Sequence, residues 1–148
     1  HILGCEFVKN KYNPAYYAPE LDIPLLQNAK MQASFVGMDF SISILPDEYI
    51  TENKNLYLGK SELSFLFTPG HTPGEFCIYM KDIKTCISGD VLFFDSIGRT
   101  DLWGGNYDTL IKSINEKLLT LPDDTKIYPG HGESSTIGRE KKLNPFLN

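Results

Sequence analysis

The chain has 148 residues, 41% of them hydrophobic and 22% charged, with a formal net charge of −5. That composition supports one folded domain with a real core and excludes a disordered chain. No apolar run approaches the roughly 18–20 residues of a spanning helix, and no basic stripe of the nucleic-acid-binding kind is present, so neither a membrane nor a nucleic acid is an expected partner.

In chain order, residues 2–11 read as a short helix that ends before Asn13-Pro14. A β-prone run over 15–18 is closed by Pro19. Asp22 as N-cap, Pro24 in the first turn and Leu25, Ala29, Ala33 and Val36 at helical spacing predict a helix, which Gly37 stops. The less regular stretch 38–51 is expected to be a loop with a short strand near 42–44. From Leu56 the apolar period changes to two, which predicts strands at Leu56 and Leu58, and again at Leu63, Phe65 and Phe67, with a turn at Lys60-Ser61. Two further strands are expected at 75–80 and 85–88, joined by a tight turn at Asp82-Ile83-Lys84. A long Gly- and Asp-rich loop covers 93–105. Leu110, Ile111, Ile114 and Leu118 then mark an amphipathic helix, followed by a last short strand at 126–128 and a terminal helix within 134–142. This order predicts an α+β or layered α/β domain with helices on a largely antiparallel sheet.

The cysteines are Cys5, Cys77 and Cys86, an odd number without a CxxC pair. That argues against a disulfide framework and for a reducing, cytoplasmic setting. Cys77 and Cys86 lie in apolar runs and are expected to be small buried hydrophobes.

The histidines are His1, His71 and His131, and two of them share a local grammar. His71 lies in Thr68-Pro69-Gly70-His71-Thr72-Pro73-Gly74, and His131 in Tyr128-Pro129-Gly130-His131-Gly132. Each follows a β-prone run, as does Gly89-Asp90 between them. Loops at strand ends commonly carry functional residues. Two imidazoles and a carboxylate at adjacent strand ends suit a borderline metal such as zinc. Singly, each has a plainer reading: a surface or core histidine, or a Gly-Asp turn.

The segment 68–74, followed by an amphipathic strand, resembles the third histidine motif of the metallo-β-lactamase superfamily. Ser88-Gly89-Asp90 resembles its bridging-aspartate motif, and Pro129-Gly130-His131-Gly132 its final histidine motif. Within the superfamily, Gly98-Arg99-Thr100-Asp101-Leu102 with Gly104-Gly105, and the tail Thr136-Ile137-Gly138-Arg139-Glu140…Asn144-Pro145-Phe146-Leu147, are similar to the glyoxalase II-like hydrolases. The resemblance implies a four-layer αββα fold, with residues 1–148 forming one partial domain that lacks the family's N-terminal strands. The family's His-x-His-x-Asp-His loop would then end at His1, ahead of Ile2-Leu3-Gly4.

On that resemblance, the metal ligands in this chain are His1, His71, Asp90 and His131. Asp90 would bridge two metals and serve catalysis. The complete protein would hold two zinc ions, with iron or manganese as the other metals the family admits. This chain by itself would hold at most one firmly. The implied activity is metal-dependent hydrolysis of a thioester or ester, as in hydroxyacylglutathione hydrolases. An iron-dependent persulfide dioxygenase and an inactive fragment are the competing readings. Arg99 is a candidate substrate contact, against a plainer salt bridge to Asp101. The expected partner is a small thioester, and exposed sheet surface is expected to cause self-association.

Overall fold

The computed structural model describes residues 2–35 and 37–147. The chain divides into two compact units, His1–Ile50 and Thr51–Asn148.

In the first unit, α1 (Cys5–Tyr12) ends at Asn13, whose φ of 45° turns the chain. Strand β1 (Tyr17–Ala18) pairs in parallel with β2 (Glu48–Tyr49). The Asp47 carboxylate ties these pieces together by accepting from the Tyr16 amide at 2.7 Å and from Lys9 Nζ at 2.6 Å. The single helix expected from Asp22 onward is two, α2 (Ile23–Gln27) and α3 (Ala29–Phe35), after a 3₁₀ turn at Glu20–Asp22. The break falls at Asn28, whose side-chain amide donates to the Pro24 carbonyl at 2.8 Å and competes with regular helix bonding. Asp22 occupies the N-cap position without a capping hydrogen bond. Gly37 does end α3: at φ 72° it lets the Met38 amide reach the Ala33 carbonyl at 2.9 Å. The strand expected near 42–44 is coil, and pairing occurs instead at β2. Alternation over three residues is too little to hold a strand without an adjacent edge to pair with.

The second unit is built on a six-stranded sheet. Its strands are β3 (Leu56–Leu58), β4 (Ser61–Phe67), β5 (Phe76–Met80), β6 (Thr85–Gly89), β9 (Lys126–Pro129) and β10 (Ser135–Thr136). The spatial order is β10-β9-β6-β5-β4-β3. The β3–β4 turn sits at Gly59-Lys60, one residue earlier than expected, because Leu58 pairs with Ser61 and Gly59 supplies a φ of 62°. All neighbours are antiparallel except β6 and β9. A parallel pair needs a crossover. The 90–125 connection supplies it through α4 (Tyr107–Ser113), capped by Asn106 Oδ1 accepting from the Thr109 amide at 2.8 Å. The helix continues through one wider turn, Ile114–Leu118, where the Leu119 amide bonds back to Ile114.

Leu110, Ile114 and Leu118 pack with Cys77, Tyr79, Cys86, Ile127 and Ile137 to form the core. This is the amphipathic stripe meeting the period-two face of the sheet. The segment read as the long loop 93–105 contains a small hairpin, β7 (Leu92–Phe93) and β8 (Ser96–Ile97), with Asp95 at φ 54° in its turn. The terminal helix α5 (Ile137–Leu143) follows β10. All three cysteines are free. Among the described residues no helix is long and apolar enough to cross a membrane.

Candidate metal centre

Strands β4 and β6 both run antiparallel to β5, and β9 runs parallel to β6. The C-terminal ends of β4, β6 and β9 therefore share one sheet edge. The loops leaving them carry His71, Asp90 and His131. The three lie around one cleft of about 370 Å³, which Phe93, Phe94, Gly98 and Arg99 also line.

Each loop is pinned from below. The Thr68 amide donates to the Glu75 carbonyl at 2.9 Å and closes the His71 loop. Ser113 Oγ donates to the Pro69 carbonyl at 2.7 Å, and the Asn106 amide to that of Gly70 at 2.8 Å, so α4 grips the loop at both ends. Asp90 is set by Glu75, whose Oε1 accepts the Asp90 amide at 2.8 Å. The Gly130 amide donates to the Gly89 carbonyl at 2.8 Å and draws the His131 loop to the Asp90 loop.

Asp90 Oδ2 lies 3.8 Å from His71 Nε2 and 3.5 Å from His131 Nε2. His71 and Asp90 are largely enclosed, with side chains 17% and 13% exposed, whereas His131 is 68% exposed. His71 Nδ1 is 2.8 Å from the Arg99 carbonyl. A carbonyl only accepts, so Nδ1 carries the proton and Nε2 presents its lone pair to the cleft, which is how metal-binding imidazoles are usually held. The His131 ring stacks at 4.8 Å on Phe93.

The donor chemistry fits a divalent metal of the zinc class. Two donors on one tetrahedral zinc at about 2.1 Å would stand about 3.4 Å apart, close to the two separations at Asp90. Yet among the described residues no group of three or more His, Cys, Asp or Glu side chains is disposed to hold an ion. Asp90 is near each histidine, and a firm shell needs further donors. His1 lies outside the described residues.

The Arg99 guanidinium pairs with Asp101 at 2.9 and 2.8 Å, both side chains being 67% exposed. The part of Arg99 that reaches the site is its backbone carbonyl. The motif reading did not find Glu75, Phe93 or Gly98 in these roles. Glu75 stands four residues after His71, and Gly98 opens the Gly-Arg-Thr-Asp motif, but their contacts depend on strands distant in sequence.

A family model described as the metallo-β-lactamase superfamily matches residues 1–131. The chain belongs to that superfamily. It is 41% identical over 149 residues to the probable metallo-hydrolase YqgX of Bacillus subtilis, covering 100% of this chain and 71% of the relative. It is 44% identical over 130 residues to the hydroxyacylglutathione hydrolase GloC of Haemophilus influenzae, covering 87% of this chain and 61% of the relative. Among solved structures, TTHA1623 in a di-iron-bound form superposes with a TM-score of 0.92 at 34% identity, over 99% of this chain and 72% of that one. The fold is thus the metallo-β-lactamase fold, and metallo-hydrolase is the functional class these relationships support.

Proposed function

We propose that this chain carries the metal-binding edge of a cytoplasmic hydrolase that cleaves small thioesters, with hydroxyacyl thioesters of glutathione as the leading class. The observation that carries this reading is the Asp90 carboxylate standing between the Nε2 atoms of His71 and His131. The relationship to GloC supports the thioester class. Zinc is the proposed metal: His71 with Asp90, and His131 with Asp90, would each supply part of a ligand shell, and His1 and donors beyond the described residues would complete it. Bound there, a divalent cation supplies Lewis-acid polarisation and makes water a nucleophile near neutral pH.

The chain's own residues do the positioning. Asp90 brings negative charge to the centre. The Arg99 carbonyl fixes which His71 nitrogen faces the cleft. Phe93 and Phe94 make one wall apolar, which suits an acyl chain and limits bulk water. In the net reaction a water oxygen bonds to the thioester carbonyl carbon, the carbon–sulfur bond breaks, and the departing sulfur takes a proton. The products are a carboxylic acid and a thiol.

The test is turnover of a hydroxyacylglutathione by the full-length protein reconstituted with zinc and, separately, with iron. Asp90→Ala is expected to lower the rate by about 10²-fold or more, because it removes the donor near both histidines. Oxygen uptake with a persulfide and iron, without thioester turnover, would instead assign the centre to a dioxygenase.

A further inference from the structure

The tail motif Gly138-Arg139-Glu140…Asn144 has no part in the reading above, yet it makes a connected polar network with the β7–β8 hairpin. We propose that Arg139 and Glu140 are positioning residues: they lock the β7–β8 hairpin in place, so that Phe94 stands as the cleft wall and Phe93 holds the His131 ring. The inference rests on the metal-centre reading for the importance of His131.

A hairpin of two-residue strands cannot hold its own shape. This one is clamped from α5. The Arg139 guanidinium forks onto Asp95 at 2.7 and 2.9 Å, and its Nη1 also donates to Glu140 Oε1 at 2.8 Å. A planar fork of this kind fixes direction as well as distance. The same guanidinium lies 3.6 Å from the centre of the Phe94 ring, a cation–π contact on the residue before Asp95.

Glu140 is fully buried, which a carboxylate tolerates only when its oxygens are bonded. Its oxygens accept from the Asp95 amide at 3.0 Å, from Asn144 Nδ2 at 2.9 Å and from the Ser135 hydroxyl. Asn144, also fully buried, donates to the Ser96 carbonyl at 3.0 Å. Every residue of the hairpin turn is therefore held by α5 or by the residue just beyond it. The next residue back, Phe93, is the one that stacks on His131. A mostly exposed histidine keeps a defined ring position when a fixed aromatic packs against it, and loss of such support commonly costs metal sites about 10–100-fold in affinity.

The experiment compares the full-length protein with its Arg139→Gln, Arg139→Lys and Asp95→Asn variants. Asn suits the positive φ at position 95 and leaves buried Glu140 untouched, so Asp95→Asn provides the answer if Arg139→Gln fails to fold. Amide exchange is read without metal or substrate, and zinc affinity by competition with a chelator. The expected result is exchange about tenfold faster at 93–98, with the amides of β4, β5 and β6 unchanged. Zinc affinity should fall about tenfold in Arg139→Gln and Asp95→Asn and less in Arg139→Lys, which keeps the charge but loses the fork. Unchanged hairpin exchange, exchange rising equally throughout the sheet, or a looser hairpin with unaltered zinc affinity would each overturn the proposal. A wild-type protein that turns over no thioester would remove the hydrolase reading and leave the exchange result standing.

Discussion

At the scale of single residues, the site depends on one backbone approach. A Cβ at Gly98 would stand 1.9 Å from the Asp90 carbonyl oxygen and 3.2 Å from His71 Cβ. No rotamer relieves a clash with backbone, so Gly98→Ala is expected to cost about 2–3 kcal/mol in urea unfolding. It should also abolish zinc binding, since it displaces two ligand loops at once. Arg99 makes the contrasting case. Its side chain is engaged in solvent with Asp101, while its carbonyl orients His71. Arg99→Ala should therefore leave both the melting temperature and zinc affinity unchanged. A loss of zinc affinity would show that the guanidinium, and not the carbonyl, acts on the centre. A raised KM with normal zinc binding would make it the substrate contact.

At the scale of elements, the β7–β8 hairpin has a pH response whose sign follows from the Asp95–Arg139 pair. The hydrogen bonds from Arg139 hold the Asp95 carboxyl below its ordinary range. A carboxyl whose folded pKa is depressed stabilises the fold above its unfolded pKa of about 3.9, and that stabilisation is lost as pH falls through the lower, folded value. Asp95→Asn removes the titration. The gap in urea midpoint between wild type and Asp95→Asn should stay constant above about pH 5 and close progressively below about pH 4. A gap that widened on acidification would mean that Asp95 is not the ionised partner of Arg139.

At the scale of the whole molecule, the two sheet faces differ. Cys77, Cys86 and Ile127 lie on the face packed under α4 and are buried. On the other face, Ile87 is 44% exposed and its register partner Tyr128 is 45% exposed. Phe7 at 63% and Phe35 at 80% add open apolar surface in the first unit. We expect this 148-residue chain to self-associate in solution. Sedimentation showing a monodisperse monomer at high concentration would overturn that expectation.

Strands β3, β4, β5, β6 and β9, the α4 stripe and the three strand-end loops were legible in the sequence because each is encoded locally, whereas β7 and β8 fell in an expected loop and β10 in an expected helix. Period-two alternation, helical spacing and Pro-Gly punctuation are properties of a few consecutive residues. The family resemblance was legible for the same reason, since its motifs are contiguous. What the sequence could not show was any relation between segments. The break at Asn28 turned on a competing side-chain hydrogen bond, and the coil at 42–44 on the lack of an adjacent strand edge to pair with. The hairpin inside the expected loop exists because α5, some 45 positions away in sequence, bonds to Asp95. The Arg99 carbonyl under His71, the Glu75 carboxylate at the Asp90 amide and Phe93 on His131 are likewise long-range contacts between loops. Local chemistry named the candidate ligands His71, Asp90 and His131. Only the strand directions, set by pairing β4 and β6 antiparallel to β5 and β9 parallel to β6, decided that all three leave the sheet by the same edge.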